Sequence, residues 1–109
     1  MRTRHLQIIG LRPERREEYL RLHREVWPEV EARLKASNFE SYSIFNLGDT
    51  LYGYFEHVGT DYAADMAAMG DDPKTREWWK LTDPCQEPLP EAAAAGAMWT
   101  DAKEVYHLP

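Results

Sequence analysis

Apolar residues recur with two different periods along the chain, and these periods predict its secondary structure. Short runs rich in branched and aromatic residues, typical of strands, occupy 5–11, 39–47, 51–58 and 104–108. Helical spacing, with apolar residues three or four positions apart, covers 13–36, while capping and stop residues predict helices over 61–69 and from 72 toward 82. The predicted order is therefore β-α-β-β-α-β, with the second helical region divided in two.

Prolines, glycines and short polar residues mark where these elements begin, break and turn. Pro28 removes a backbone donor inside the first helical pattern, so we expect that helix to be kinked or divided there. The turn residues at 48–50 separate two strand-like runs and predict a β-hairpin. Thr60 is the expected N-cap of the second helical region, and Asp72 caps its second part. The proline- and alanine-rich segment 84–96 has no period and is predicted to be a loop.

This element order is typical of a ferredoxin-like α+β fold, in which helices cover one face of an antiparallel sheet. The length of 109 residues suits a single domain spanning 1–109. The other sheet face carries residues such as Tyr54 or Phe55 and would need covering. A symmetric partner can cover it, so we expect a homodimer whose sheets pack face to face as a dimeric α/β barrel.

Composition and charge exclude several classes of partner. The formal net charge of −6 makes nucleic acid and anionic membrane surfaces poor partners. No apolar run is long enough to span a bilayer, and the charged N-terminus lacks the apolar stretch of a signal peptide. The single cysteine, Cys85, excludes an internal disulfide and fits a reducing compartment. We therefore expect a soluble cytoplasmic protein.

One histidine is a candidate for catalysis. Tyr19, His23 and Trp27 are four positions apart, so their side chains follow one stripe of the first helix. A histidine titrates near neutrality and suits general acid–base catalysis, although a structural histidine fits the same position. The histidines are too scattered for a helical metal pair, so no metal site is expected. Phosphate-binding loops and nucleophile elbows are also lacking in the sequence.

Aromatic residues are the second candidate feature. Trp78 and Trp79 are adjacent on a predicted helix and point about 100° apart, so both can be buried only at a crowded junction. Together with tyrosines they could wall a pocket for a ligand with an apolar face and several hydroxyls. The tyrosines concerned are Tyr19, Tyr42, Tyr52, Tyr54 and Tyr62. The alternative is an ordinary aromatic core.

Five short segments, spread over nearly the whole chain, carry a resemblance to a known family. They are Glu18-Tyr19 with His23, Val26-Trp27-Pro28-Glu29, Tyr42-Ser43-Ile44-Phe45, Trp78-Trp79-Lys80-Leu81-Thr82-Asp83 and Glu104-Val105-Tyr106-His107-Leu108-Pro109. Each segment is weak evidence alone. In this order and at these separations they resemble the L-rhamnose mutarotase family.

The resemblance implies a cofactor-free dimeric enzyme with a ferredoxin-like fold. Its expected reaction is the interconversion of the α and β anomers of a 6-deoxy-L-hexose, with L-rhamnose as the first substrate and L-fucose as the alternative. It implies that His23 is the proton donor. It also implies sugar contacts from two tyrosines and the tryptophan pair, which are Tyr19, Tyr42, Trp78 and Trp79.

Two more distant functions stay open at the level of sequence. The same fold hosts dimeric α/β-barrel oxygenases and haem proteins, and fold alone does not determine function. A sugar-binding module without turnover is the other alternative.

Overall fold

An antiparallel sheet with helices on one face forms the protein, and the structure, a computed structural model, describes residues 1–109. The strands are β1 (Thr3–Leu11), β2 (Phe39–Leu47), β3 (Thr50–His57), β4 (Gln86–Glu87) and β5 (Thr100–Ala102). The helices are α1 (Arg16–Arg24), α2 (Pro28–Ala36), α3 (Tyr62–Asp71), α4 (Pro73–Thr82) and α5 (Pro90–Ala94), with 3₁₀ turns at Pro13–Arg15 and Asp83–Cys85. No helix combines the length and apolar character that crossing a bilayer requires.

Strand β1 lies in the middle of the sheet, whose order is β2-β3-β1-β4. All pairs are antiparallel, and β5 joins the same edge of β1 as β4, with Leu6 opposite Ala102 and Gly10 opposite Glu87. The arrangement confirms the predicted ferredoxin-like α+β fold. The predicted β2–β3 hairpin is also confirmed, and its turn is held by Arg16, which pairs with Asp49.

Alternate residues of the central strands face the helices and form the core. The main hydrophobic cluster consists of residues at most 2% exposed, namely Ile9, Leu11, Tyr19, Leu51 and Cys85. A second cluster is made by Phe39 and Phe55 of the sheet together with Met69 of α3. Phe55 is only 2% exposed, so of the two alternatives for the uncovered face, Tyr54 and Phe55, it is Tyr54 that lies there. Strand alternation puts Phe55 on the helix side and its neighbour Tyr54 on the other.

The helix boundaries confirm most of the signals in the sequence. Helix α1 ends at Arg24 and α2 begins at Pro28, so the proline divides the first helical region as predicted. The Asp72 side chain accepts a hydrogen bond from the Thr75 N–H at 2.9 Å and caps α4. The cap of α3 is Asp61 rather than Thr60, since the Asp61 carboxylate accepts the Ala64 N–H at 3.0 Å.

The last strand lies earlier in the chain than predicted. Strand β5 covers Thr100–Ala102, whereas 104–108 forms no regular element. In the β5–β1 register, Leu6 faces Ala102, so a continued strand would reach the start of β1 at Thr3 three residues later and then run past it. The pairing stops where Glu104 forms an ion pair with Arg4 at 2.7 Å.

The segment 84–96 is not the featureless loop predicted from its composition. It contains the strand β4 and the helix α5, which begins at Pro90. Gln86 pairs with Leu11 of β1, and Cys85 is fully buried in the main cluster. A two-residue strand and a five-residue helix are too short to show a periodic pattern, so tertiary contacts determine their structure.

Leu51 provides a test of the core. Leu51→Ala should lower the free energy of unfolding by about 2–5 kcal/mol, because the fully buried side chain leaves a cavity in the main cluster. The matched control is Leu108→Ala, at a side chain that is 75% exposed, which should stay within about 0.5 kcal/mol of the parent. Urea unfolding at one fixed protein concentration measures both. Equal losses in the two variants would contradict the assigned core.

Candidate functional site

A cavity of about 360 Å³ lies between the helix-facing side of the sheet and helices α1, α3 and α4. All five site residues predicted from the sequence line it, namely Tyr19, His23, Tyr42, Trp78 and Trp79. A neighbouring cavity of about 330 Å³ shares four of them and extends to Val30 and Leu34 of α2. Another hollow, of about 480 Å³, is bordered by residues such as Lys35 and Glu40, and neither His23 nor the tryptophans line it.

The His23 ring is held by its own helix and by two aromatic neighbours. Its Nδ1 lies 2.9 Å from the Tyr19 carbonyl oxygen, which can only accept, so Nδ1 carries a hydrogen and Nε2 is the nitrogen left for the cavity. The ring stacks on Tyr19 at 4.1 Å and meets the edge of Trp78 at 5.4 Å. Burial lowers the pKa of His23 from its ordinary value, so its imidazolium releases the Nε2 proton readily.

Tyr19 belongs both to the core and to the cavity. The residue is 2% exposed, and the Gln86 amide donates a hydrogen bond to its hydroxyl at 3.3 Å. Burial raises the pKa of this phenol well above its ordinary value, so the group keeps its proton at neutral pH. The phenol is therefore a fixed hydrogen-bond donor at the cavity wall.

Tyr42 reaches the cavity from an irregular part of β2. The pairing with β3 shifts between Glu40 and Ser43, and Ser41 adopts a positive φ of 52°. Two residues thus oppose one in a β-bulge, where Ser41 is the unusual position. The Tyr42 ring stacks on Phe55 at 5.4 Å, and burial raises the pKa of its hydroxyl to about 12.

The adjacent tryptophans occupy different environments. Trp78 is 6% exposed and also contacts Trp27 edge-on at 5.3 Å, so much of its surface serves packing. Trp79 is only partly buried and packs against the second cluster, of which Met69 is a member. Both indoles border the cavity, which gives it a broad flat apolar wall.

Several cavity residues were missed by sequence reasoning. Gln7, Asp83 and Gln86 supply polar groups, and Met98 and Trp99 complete the apolar lining. Gln7 lies on the side of β1 that faces the helices. The alternation of side chains along the strand, which puts Gln7 on the same face as Ile9, was enough to predict this position. The others follow α4 in a region where the sequence has no period. Their place depends on pairing with β1.

Four other aromatic candidates do not line this cavity. Tyr52 and Tyr54 lie on the outer face of the sheet, because they alternate with buried residues of β3. Tyr62 packs on Phe55 at 6.3 Å, and Trp27 meets Trp78 edge-on at 5.3 Å without lining the cavity itself. No three His, Cys, Asp or Glu side chains are grouped so that they could hold a metal ion.

Known proteins are similar to this chain over nearly its whole length. The sequence pattern of the L-rhamnose mutarotase family matches residues 4–108. An L-rhamnose mutarotase from Oceanobacillus iheyensis is 32% identical over 103 residues, which are 93% of each chain. An L-fucose mutarotase from Xanthomonas campestris pv. campestris is 38% identical over 95 residues, covering 84% of this chain and 74% of the relative.

A solved structure shows the same fold. The crystal structure of an L-rhamnose mutarotase from Formosa agariphila superposes with a TM-score of 0.75 at 20% identity, covering 98% of this chain and 99% of that one. The family pattern spans nearly every residue from β1 to the C-terminal segment, including all the residues predicted for the site. On this evidence the chain belongs to the L-rhamnose mutarotase family.

Proposed function

We propose that this protein interconverts the α and β anomers of a 6-deoxy-L-hexose, with L-rhamnose as the first expected substrate. The observation that carries the proposal is that one histidine and four aromatic side chains meet around a single cavity in a chain of this family. The cavity volume lies in the range typical of small-molecule sites. L-fucose is the alternative sugar, because a relative of comparable similarity is an L-fucose mutarotase.

The reaction requires a sugar ring to open and close. One group removes the proton of the anomeric hydroxyl, and another protonates the ring oxygen as the bond between C1 and that oxygen breaks. Rotation about C1–C2 of the open aldehyde then lets the ring close on the other face. These are proton transfers and a bond rotation, so the mechanism calls for no redox cofactor.

In this mechanism His23 is the proton donor. Its Nδ1–H is bound to the Tyr19 carbonyl, so the ring orientation is fixed and Nε2 transfers the proton to the ring oxygen. Positioned donors of this kind contribute roughly 10²–10⁴-fold to a rate. The lowered pKa of His23 makes its imidazolium a stronger acid than an exposed one.

The aromatic residues hold the sugar in this mechanism. The hydroxyls of Tyr19 and Tyr42 retain their protons and donate hydrogen bonds to sugar oxygens. The indoles of Trp78 and Trp79 pack against the apolar face and the methyl group of a 6-deoxy sugar. A sugar with a polar C6 hydroxyl would leave that group without a partner along this wall.

The functional unit in this proposal is a homodimer. The sheet face away from the helices exposes large apolar side chains, with Leu6 38%, Phe45 62% and Leu47 73% exposed. Exposed apolar groups of this size on one sheet face favour association, and a second copy packed sheet to sheet would complete a dimeric α/β barrel. The single free cysteine, Cys85, agrees with a reducing cytoplasm as the place of action.

The decisive experiment measures anomer exchange by magnetisation-transfer NMR with L-rhamnose, L-fucose and related aldoses. His23→Asn should lower the exchange rate about 10²-fold or more while the protein stays folded. A proton donor must be protonated, so exchange by the parent should rise as the pH falls through a transition below 6.5, the ordinary pKa of histidine. That transition should be absent in the Asn variant.

The control for His23 is His107→Asn, in the exposed C-terminal segment, which should exchange anomers like the parent. If His23 is only structural, the Asn variant should lose stability and keep its rate per folded molecule. A His23→Asn rate within about threefold of the parent would contradict the catalytic role.

Trp79→Ala should weaken sugar binding by about 1 kcal/mol or more, because stacking on the indole is lost. The exchange rate at saturating sugar should change less, because the stacking stabilises the bound sugar and its transition state equally. Trp78→Ala should show the same loss together with lower stability, since Trp78 is nearly buried. Trp27→Ala, outside the cavity, controls for disturbed packing near Trp78. NMR titration gives the affinities. Unchanged affinity in both folded cavity variants would remove the tryptophans from the site.

Phe45→Glu should convert the dimer into a monomer, because a charge would be buried between two sheets. Light scattering should give twice 12.7 kDa for the parent and 12.7 kDa for the variant. Val105→Glu, at a residue that is 89% exposed in the C-terminal segment, should remain dimeric. A parent of 12.7 kDa at micromolar concentration would refute the dimer.

A further inference from the structure

We propose that Asp83 is the second acid–base residue, whose carboxylate removes the proton of the anomeric hydroxyl while His23 protonates the ring oxygen. This inference rests on the proposed function and identifies the group that the anomer exchange still lacks. Both residues border the same cavity, and Asp83 follows the last turn of α4. The 3₁₀ turn that begins with Asp83 packs against α1, the helix that carries His23.

Two groups are needed because His23 offers the cavity a single nitrogen. Its Nδ1–H is held by the Tyr19 carbonyl at 2.9 Å, so Nε2 alone is available. Once Nε2 has given its proton to the ring oxygen, another group must hold the proton that leaves the anomeric hydroxyl. General acid–base catalysis at two oxygens of one carbon therefore requires a base beside the histidine.

The cavity lining offers few candidates for that base. Its ionisable side chains are Tyr19, His23, Tyr42 and Asp83. Burial raises the pKa of both phenols, so at neutral pH they are protonated and serve as donors. The amides and hydroxyl in the lining do not titrate. Asp83 is the remaining group with a free electron pair of suitable basicity, and burial raises its pKa, which makes it a stronger base than an ordinary aspartate.

The Asp83 carboxylate also has no partner in the protein, unlike its polar neighbours. The Gln7 amide is bound to Asp101 at 2.9 Å, and the Gln86 amide is bound to the Tyr19 hydroxyl. No side-chain hydrogen bond or ion pair engages Asp83, which is an exposed residue and one of those that line the cavity. A carboxylate that no partner holds in place can reorient to reach the anomeric oxygen, which occupies different positions in the two anomers.

The proton and electron balance of the step is complete with these two residues. The Asp83 carboxylate takes the proton from the anomeric hydroxyl, and the electrons of that O–H bond form the C1 carbonyl. The bond from C1 to the ring oxygen breaks, its electrons go to that oxygen, and His23 Nε2 supplies the proton. Closure of the other anomer runs the same transfers in reverse, so both residues return to their starting states.

The test compares Asp83→Asn and Asp83→Ala with a neighbouring carboxylate. Asp83→Asn should lower the anomer exchange rate about 10²-fold while sugar affinity, measured by NMR titration, changes by less than about threefold. Formate should restore part of the rate in Asp83→Ala, since it supplies a carboxylate in the space that was vacated. The control is Glu87→Gln, at an exposed residue outside the cavity that pairs with Arg12 at 3.4 Å, and its rate should match the parent.

The outcomes separate this inference from the proposed function. An Asp83→Asn rate near that of the parent overturns the role of Asp83 and leaves the proposed function intact. A loss of affinity that accounts for the lost rate, without rescue by formate, also overturns it and makes Asp83 a sugar-binding residue only. A parent protein that does not accelerate exchange of any 6-deoxy-L-hexose overturns the proposed function itself.

Discussion

The packing of Tyr19 joins the core of this protein to its cavity. Tyr19 belongs to the main cluster with Ile9 and Leu51 and also lines the cavity, and its hydroxyl accepts a hydrogen bond from the Gln86 amide. Its backbone carbonyl accepts the Nδ1–H of His23, and its ring stacks on the imidazole. The orientation of the proposed proton donor therefore depends on a residue that is itself fixed by the core.

The cavity exists because short elements cover the sheet incompletely. Pro28 divides the first helical region, so α1 places Tyr19 and His23 over one part of the sheet, while α2 borders the neighbouring cavity. On the sheet, Gly53 leaves room for Trp99, whose indole would lie 3.4 Å from a Cβ at that position. Local features of the chain, rather than a large core, determine the shape of the site.

The fold was predictable where elements are long and periodic, and the errors fall where they are not. Strands β1, β2 and β3 and the break at Pro28 follow from period and from proline chemistry. Strand β5 and the region after α4 depend on pairing with β1, which one sequence does not show. The five predicted site residues do meet around one cavity, but spacing alone left a structural role for His23 open. The resemblance to a family, not periodicity, selected them.

The electrostatics of the cavity fit a reaction that moves a proton without changing net charge. Burial lowers the pKa of His23 from 6.5 and raises that of Asp83 from 3.8, so the difference between the proton affinities of the two groups becomes smaller. In the proposed mechanism one group gains a proton as the other loses one. When this difference is smaller, proton transfer costs less free energy in either direction, so the states before and after transfer are both accessible. Anomer exchange must run both ways in one site, and burial that brings the proton affinities of the two residues closer together favours that reversibility.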